Sequence, residues 1–353
     1  MAGTRAGGAV PPARGLLQTG QSRCYDAGGR EIPCNGSGQD GQFRSGLAWP
    51  EPRFTRNGET VVDRATGLVW TLDANLAEFA VTWAEALAFV ADMNRSAALG
   101  HRDWRLPNRR ELRSLVSYQE TRPPLPGGHP FVNVFPGWYW TSTSAAVNPA
   151  YAWAVHMDGA RMFYPRKDQE ALVWAVRGRG KALLPATGQA RCFDVSGAEV
   201  PCGGTGQDGE HRSGAAWPVP RFEVRGDAVL DRLTGLYWAR AADAAGPVEW
   251  ETALRAAAAF PAAAGVRWRL PNINELESLV DCSRHTPALP AGHPFRGVQE
   301  VYWSATTSTY EPDWAWALYL HKGAVGVGWK PGARFHVWPV GDSSKLETDS
   351  VSR

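Results

Sequence analysis

The sequence predicts an α+β fold of two tandem domains, each with two helices and a small antiparallel sheet. Three observations carry this. A long internal repeat divides the 353 residues into two similar copies. Capping-box signatures before apolar runs mark short helices in the first half of each copy. Trp-rich segments of alternating polarity then close each copy and read as strands.

The repeat fixes the domain organisation. "SGQDGQFRSGLAWPEPRF" (Ser37–Phe54) matches "TGQDGEHRSGAAWPVPRF" (Thr205–Phe222), and "VVDRATGLVW" (Val61–Trp70) matches "VLDRLTGLYW" (Val229–Trp238). "DWRLPNRRELRSLV" (Asp103–Val116) matches "RWRLPNINELESLV" (Arg267–Val280), followed by matching "GHPF" loops at Gly128 and Gly292. The offset between copies is 168 residues from Cys24 to Cys192 and 164 from Trp174 to Trp338. The shortening falls around the first helix and the loop after it, where deletion costs least. Such a period is too long for a solenoid. The copies are read as domains 17–180 and 185–341, joined by "RGRGKALLPA" (Arg177–Ala186). Residues 1–16 and the polar tail 342–353 lack periodicity and are expected to be disordered.

Each copy opens on two cysteines ten positions apart, "CYDAGGREIPC" (Cys24–Cys34) and "CFDVSGAEVPC" (Cys192–Cys202). Glycine-bearing turn residues at the middle of each loop are hairpin chemistry, so the flanking cysteines can face each other across two strands. Disulfides Cys24–Cys34 and Cys192–Cys202 are predicted. A second hairpin follows, with "VVD" and "GLVW" around the turn "RAT". Thr82 with Glu85 forms a capping box, and Ala86, Phe89, Val90 and Met93 then recur at helical spacing. Asn108 with Glu111 caps the second helix, and Asn272 with Glu275 repeats it in copy two. Pro107 and Pro271 end the preceding strand. "WYWTSTS", "YAWAVHMD" and "LVWAVR", with "YWSATT", "WAWALYL" and "FHVWPV" in copy two, read as period-two strands.

Composition narrows the function. The apolar fraction of 44% and charged fraction of 20% are those of a globular chain. Seventeen Trp suggest β-rich aromatic packing. A net charge of +2 gives no footprint for nucleic acid. No run of 18 apolar residues exists to span a membrane, and no signal peptide is visible at the start. The cations are mostly Arg, which suits carboxylate, sulfate or phosphate, although codon usage explains the bias as well.

Taken together, the cysteine pair, "GQDG", "VVDRATGLVW", "TWAEALAFV", "DWRLPNRRELRSLV", "YWTSTS" and "VWAV" resemble the bacterial Lcl C-terminal domain family, named for a collagen-like adhesin. The resemblance covers nearly the whole chain, twice. It implies a C-type lectin-like fold: paired first and last strands, two helices, and a small sheet whose loops carry the ligand site. The adhesin member is associated with sulfated glycans.

Catalytic alternatives find little in the residues. Formylglycine-generating relatives of that fold use a late cysteine pair, and here only Cys282 stands late in copy two, which reads as a small buried hydrophobe. His129 and His293 in the "GHPF" loops have no nucleophile motif beside them. No zinc spacing occurs. A calcium site would need more oxygen ligands than the lone "EPD" at Glu311–Asp313 supplies. The chain is therefore expected to be non-enzymatic, without a cofactor, extracytoplasmic because of its disulfides, and a binder of extracellular glycan or protein. The alternatives are a structural or protein-interaction module of an envelope assembly and, third, a formylglycine-generating-type oxidase. Ligand contacts are expected from Asn148, Tyr151, Arg161, Arg166 and Lys167 in copy one, and from Glu311, Asp313, Trp314, Lys322 and Lys330 in copy two. Aromatic faces stack on ligands while cations hold anionic groups. Trp153 and Trp316 read as core; Tyr151 and Trp314 stay open between core and ligand face.

Overall fold

The computed structural model describes residues 15–180, 184–261 and 266–343. Most of the termini expected to be disordered lies outside these residues. Two pieces depart from the expectation: Leu16 packs at the edge of the core, and Asp342 and Ser343 extend the strand Val340–Ser343.

Each copy builds a module from two main antiparallel sheets and two longer helices, and the first adds a short antiparallel pair, Val81–Thr82 with Glu170–Ala171. In the first, a five-stranded sheet runs in the order Phe54–Asn57, Thr60–Asp63, Val69–Thr71, Val176–Arg177, Trp104–Arg105. The second repeats this as Phe222–Arg225, Ala228–Asp231, Tyr237–Ala239, Val340–Ser343, Val266–Arg269. The last strand of each module thus pairs with an early one, Val176 opposite Trp70 and Val340 opposite Trp238. The "RAT" turn closes as predicted because the buried Asp63 accepts from the Ala65 amide (3.0 Å) and the Thr66 hydroxyl (2.9 Å). Arg53 clamps the same carboxylate from outside (3.2 and 3.0 Å). Asp231 and Arg221 repeat the clamp.

Six α-helices occur among the described residues: α1 (Asp40–Phe43), α2 (Trp83–Arg95), α3 (Arg109–Ser114), α4 (Asp208–His211), α5 (Trp250–Ala258) and α6 (Ile273–Ser278). The predicted capping boxes form on α2, α3 and α6. The apolar face of α2 buries Ala86, Val90 and Met93, with Trp83 added and Phe89 half-buried. Helix α5 is four residues shorter than α2 (9 against 13), and most of the drift falls there: the offset is 168 at Trp70 and Trp238, 167 at Trp83 and Trp250, and 164 at Trp104 and Trp268. It also lacks a side-chain cap.

The second sheet has three strands, Trp138–Ser144, Ala152–His156 and Met162–Phe163 in the first module. The second module has Val301–Thr307, Trp314–Tyr319 and Ala324–Trp329. Here the predicted alternation fails. Every residue from Tyr139 to Ser144 is buried, because both faces are covered. Trp140, Ala152 and Ala154 face α2, while Tyr139, Trp153 and Val155 face the core over the five-stranded sheet.

The disulfide segments do not pack mainly on their own modules. Each cysteine pair forms (Cα–Cα 5.2 Å in both) and staples a two-stranded hairpin, Cys24–Tyr25 with Glu31–Ile32 and Cys192–Phe193 with Glu199–Val200. The first hairpin and α1 lie on the second module. Thr306 donates to Asp40 (2.7 Å), Gln21 exchanges hydrogen bonds with the Thr307 backbone (2.8 and 2.9 Å), and Asn272 donates to the Ser45 carbonyl (3.2 Å). The second hairpin and α4 lie on the first module in the same way. Thr143 donates to Asp208 (2.7 Å) and Asn108 to the Ser213 carbonyl (3.3 Å). The first segment is also tied back to its parent copy at one point, residues 118–119, where the Tyr118 amide donates to the Thr19 carbonyl (2.9 Å) and the Gln119 side chain accepts from the Ser22 and Arg23 amides (2.9 and 3.0 Å). The sequence units 17–180 and 185–341 are therefore not the packing units; the two copies exchange their hairpins.

Candidate functional site

The loops that follow the first strand of each three-stranded sheet are where the exchange converges. Gly197, at the tip of the second hairpin, has φ +88°, and a Cβ there would stand 2.8 Å from the Ala150 nitrogen. Gly29 has φ +81°, and a Cβ there would stand 2.9 Å from the Asp313 nitrogen. Only glycine permits both the positive φ and so close a backbone approach. Each loop face is thus assembled from one module's loop and the other copy's hairpin turn.

Two lysines lock the turns in place. Lys167 is fully buried and donates to the carbonyls of Phe193 (2.9 Å) and Asp194 (3.1 Å), with its ammonium 3.9 Å from the Trp83 ring centre. Lys330 donates to the carbonyls of Tyr25 (3.3 Å), Asp26 (3.2 Å) and Pro312 (2.8 Å) and lies 4.1 Å from the Trp250 ring centre. Burial drives both ammonium groups down to about 7, because the charged form loses its water. Neither can hold a ligand: the expected anion-binding role of Lys167 and Lys330 is replaced by fastening the exchanged hairpins. A signal for this existed. Lys is scarce in the chain, yet one occurs in both copies shortly before the last Trp-rich strand.

The remaining predicted residues divide by position. Asn148, Tyr151 and Arg166 gather on the first face. The Asn148 side chain accepts from the Ala150 amide (3.1 Å), Tyr151 bridges Arg166, and the exposed Arg166 chelates Asp168 (3.1 and 2.8 Å). Glu311, Asp313 and Trp314 gather on the second. Trp314 pairs with Trp329 across the strands, and the Trp329 indole N–H donates to Asp313 (3.2 Å). Tyr151 and Trp314 are both half-buried, and Trp153 and Trp316 are core. Arg161 and Lys322 belong elsewhere. They follow the far ends of the strands Ala152–His156 and Trp314–Tyr319, roughly 15–20 Å along the strand from their own module's loop at about 3.3 Å per residue. The turn before Arg161 lies against Tyr310 of the second module's loop, where a Cβ on Gly159 would stand 3.0 Å from its ring. Lys322 sits over Tyr319 instead (5.4 Å).

Sequence reasoning missed Trp329, 45% exposed and aimed outward beside Asp313. It also missed the hairpin residues that complete the second face. Arg30 sits on Asp26 (3.2 Å), and Glu251 accepts from the Ala27 amide (3.3 Å). On the first face the added hairpin residue is Val195, exposed like Val147. The two faces therefore differ: the second offers the Trp329 indole with carboxylates and Arg30, the first the Arg166–Asp168 pair, an amide and aliphatic surface.

The cysteine and histidines weighed for chemistry lie apart from these faces. Cys282 is buried, and burial pushes its thiol up to about 11. His129 and His293 pack on Phe131 and Phe295 (5.9 Å each), and burial lowers both. In the "EPD" tripeptide, the Pro312 carbonyl already takes Lys330 and Asp313 already takes the Trp329 indole.

Residues 59–177 and 227–341 each match the Lcl C-terminal domain. The chain belongs to the Lcl C-terminal domain family. The matches begin after the disulfide hairpins, so they cover the sheets and helices but not the exchanged segments. No curated protein matches the chain. The Lcl modules are adhesin-related, which fits a binding role. No described helix is long and apolar enough to cross a membrane.

Proposed function

We propose that the protein is a secreted or surface-associated, non-enzymatic binding protein whose two Lcl modules, of C-type lectin-like fold, grip an extracellular ligand through the loop faces. One observation carries the reading: both faces are built across two copies and pinned by disulfides, which holds exposed Trp329 and Arg166 on rigid supports. Rigid presentation lowers the ordering cost of binding. Disulfides of this kind persist in oxidising compartments, which supports an extracytoplasmic location. Indole faces stack on sugar rings and Arg recognises sulfate or carboxylate, so an anionic glycan is the favoured ligand. Two faces on one chain add avidity for a repeating ligand.

A glycan array probed with the full chain, Trp329→Ala and Arg166→Ala tests this. Each substitution is expected to weaken binding about tenfold, equivalent to 1.4 kcal/mol. Binding by the Arg166 face should also fall with salt. Undiminished binding by both variants would refute the assignment of the faces. A second reading, a protein-interaction module of an envelope assembly, is favoured by the exposed Val147 and Val195 on the first face. Under it, a pull-down recovers a protein partner while every glycan fails.

A further inference from the structure

We propose that the seam between the modules is a charge-coded pairing surface, which accepts the other half of this chain and disfavours pairing of like modules from two chains. Helices α3 and α6 are equivalent in the two copies and meet at this seam. Arg113 and Glu277 hold the same position in their helices, 164 residues apart. They pair with each other, Arg113 Nε donating to Glu277 Oε2 at 2.6 Å. Arg109 donates to the other carboxylate oxygen at 3.1 Å, and its own counterpart is the neutral Ile273. All three charged groups are buried.

The rest of the seam is satisfied around this triad. Arg109 also donates to the Gly323 carbonyl (2.7 Å) and stacks on Trp153 (4.3 Å). Arg113 also donates to the Tyr118 hydroxyl and the Ala160 carbonyl. Arg110 reaches the Ala186 carbonyl (3.1 Å), while its counterpart Asn274 reaches the Leu17 carbonyl (3.1 Å). Each helix thus also holds the segment that leads into the other copy's hairpin.

The consequence follows from pseudo-symmetry. Two first modules joined across this seam would bury six arginine side chains against one another, Arg109, Arg110 and Arg113 from each. Two second modules would bury Glu277 against Glu277. A buried charge that meets its own sign instead of its partner is strongly disfavoured. Only first-with-second pairing gives Glu277 its arginine partners and leaves no carboxylate facing another, and the single linker gives the partner module a high effective concentration.

The test is a charge-reversal cycle in the full chain, read by thermal unfolding: Glu277→Arg, Arg113→Glu, and the two combined. Each single reversal is expected to lower the midpoint by about 5 °C or more. The combination is expected to recover at least half of the larger loss, the remainder being held back by Arg109 facing the new arginine. If a single reversal does not fold, the milder Glu277→Gln and Arg113→Gln pair is read in the same way. There the double variant should lose less than the sum of the singles. Additive losses in the cycle that is measured would overturn the proposal.

Discussion

Replacing Gly197 by alanine should loosen the grip of the second copy's hairpin on the first module without touching the disulfide. The added Cβ meets the Ala150 nitrogen at 2.8 Å and the Pro149 carbonyl carbon at 3.2 Å, both backbone atoms that cannot rotate away. The φ of +88° adds strain of its own, roughly 1–2 kcal/mol for a non-glycine residue. Forcing one carbon into a filled contact adds roughly 1–3 kcal/mol. Gly204 is the control, because its φ is +79° but nothing lies within 4 Å of its Cβ. Gly204→Ala should show the backbone strain alone. Denaturant unfolding of the two variants gives the contact contribution by difference, expected at roughly 1–3 kcal/mol. Hydrogen exchange should show loss of protection at 146–150 in Gly197→Ala. Equal stability of the two variants would refute the docked geometry, since both share the strain and only one makes the contact.

Two further outcomes follow from the docking chemistry. Burial pushes Asp40 and Asp208 up to about 6, against the threonine hydroxyls that donate to them. A raised acid binds its proton more readily when folded, so this stability is full below about 4 and is lost as pH rises through about 6. The depressed Lys167 and Lys330 act oppositely: their contribution is full above the ordinary lysine range and is lost as pH falls through about 7. Together these four groups predict a stability minimum between pH 6 and 7, seen by denaturant midpoints at pH 5, 6.5 and 9. Asp40→Asn with Asp208→Asn should remove the acid-side rise, and an unchanged rise would show that these carboxyls do not cause it. Reducing Cys192–Cys202 should cost about 3 kcal/mol of loop-closure stabilisation. Hydrogen exchange should then rise at the first module's loop 146–150 rather than at 309–313. The reverse pattern would contradict the exchange.

Much of the fold could be read from the sequence because its signals are local. Thr82 with Glu85 and Asn108 with Glu111 are separated by three residues, and their bonds form within one helical turn. The cysteines likewise act across a single hairpin. The exchange could not be read, because duplication makes it degenerate. Asp40 is bonded to Thr306 and Asp208 to Thr143, yet the same groups would bond equally well within one copy. Sequence periodicity carries no information about which copy supplies the partner. The loop faces were half visible for the same reason. Asn148, Tyr151, Arg166, Glu311, Asp313 and Trp314 are local to their loops, whereas Asp26, Arg30 and Val195 arrive from the other copy. Lys167 and Lys330 misled because a lysine near a loop is usually solvated, and only tertiary packing places Phe193 and Tyr25 over them.

The most direct test of reciprocal docking is to cut the chain between the modules. A protease site placed between Gly180 and Leu184 can be cleaved under native, non-reducing conditions and the product sized by light scattering. Exchanged hairpins predict that the two fragments stay together at the mass of the intact chain and part only in denaturant. Two separate fragments of about half that mass, each still folded, would contradict it.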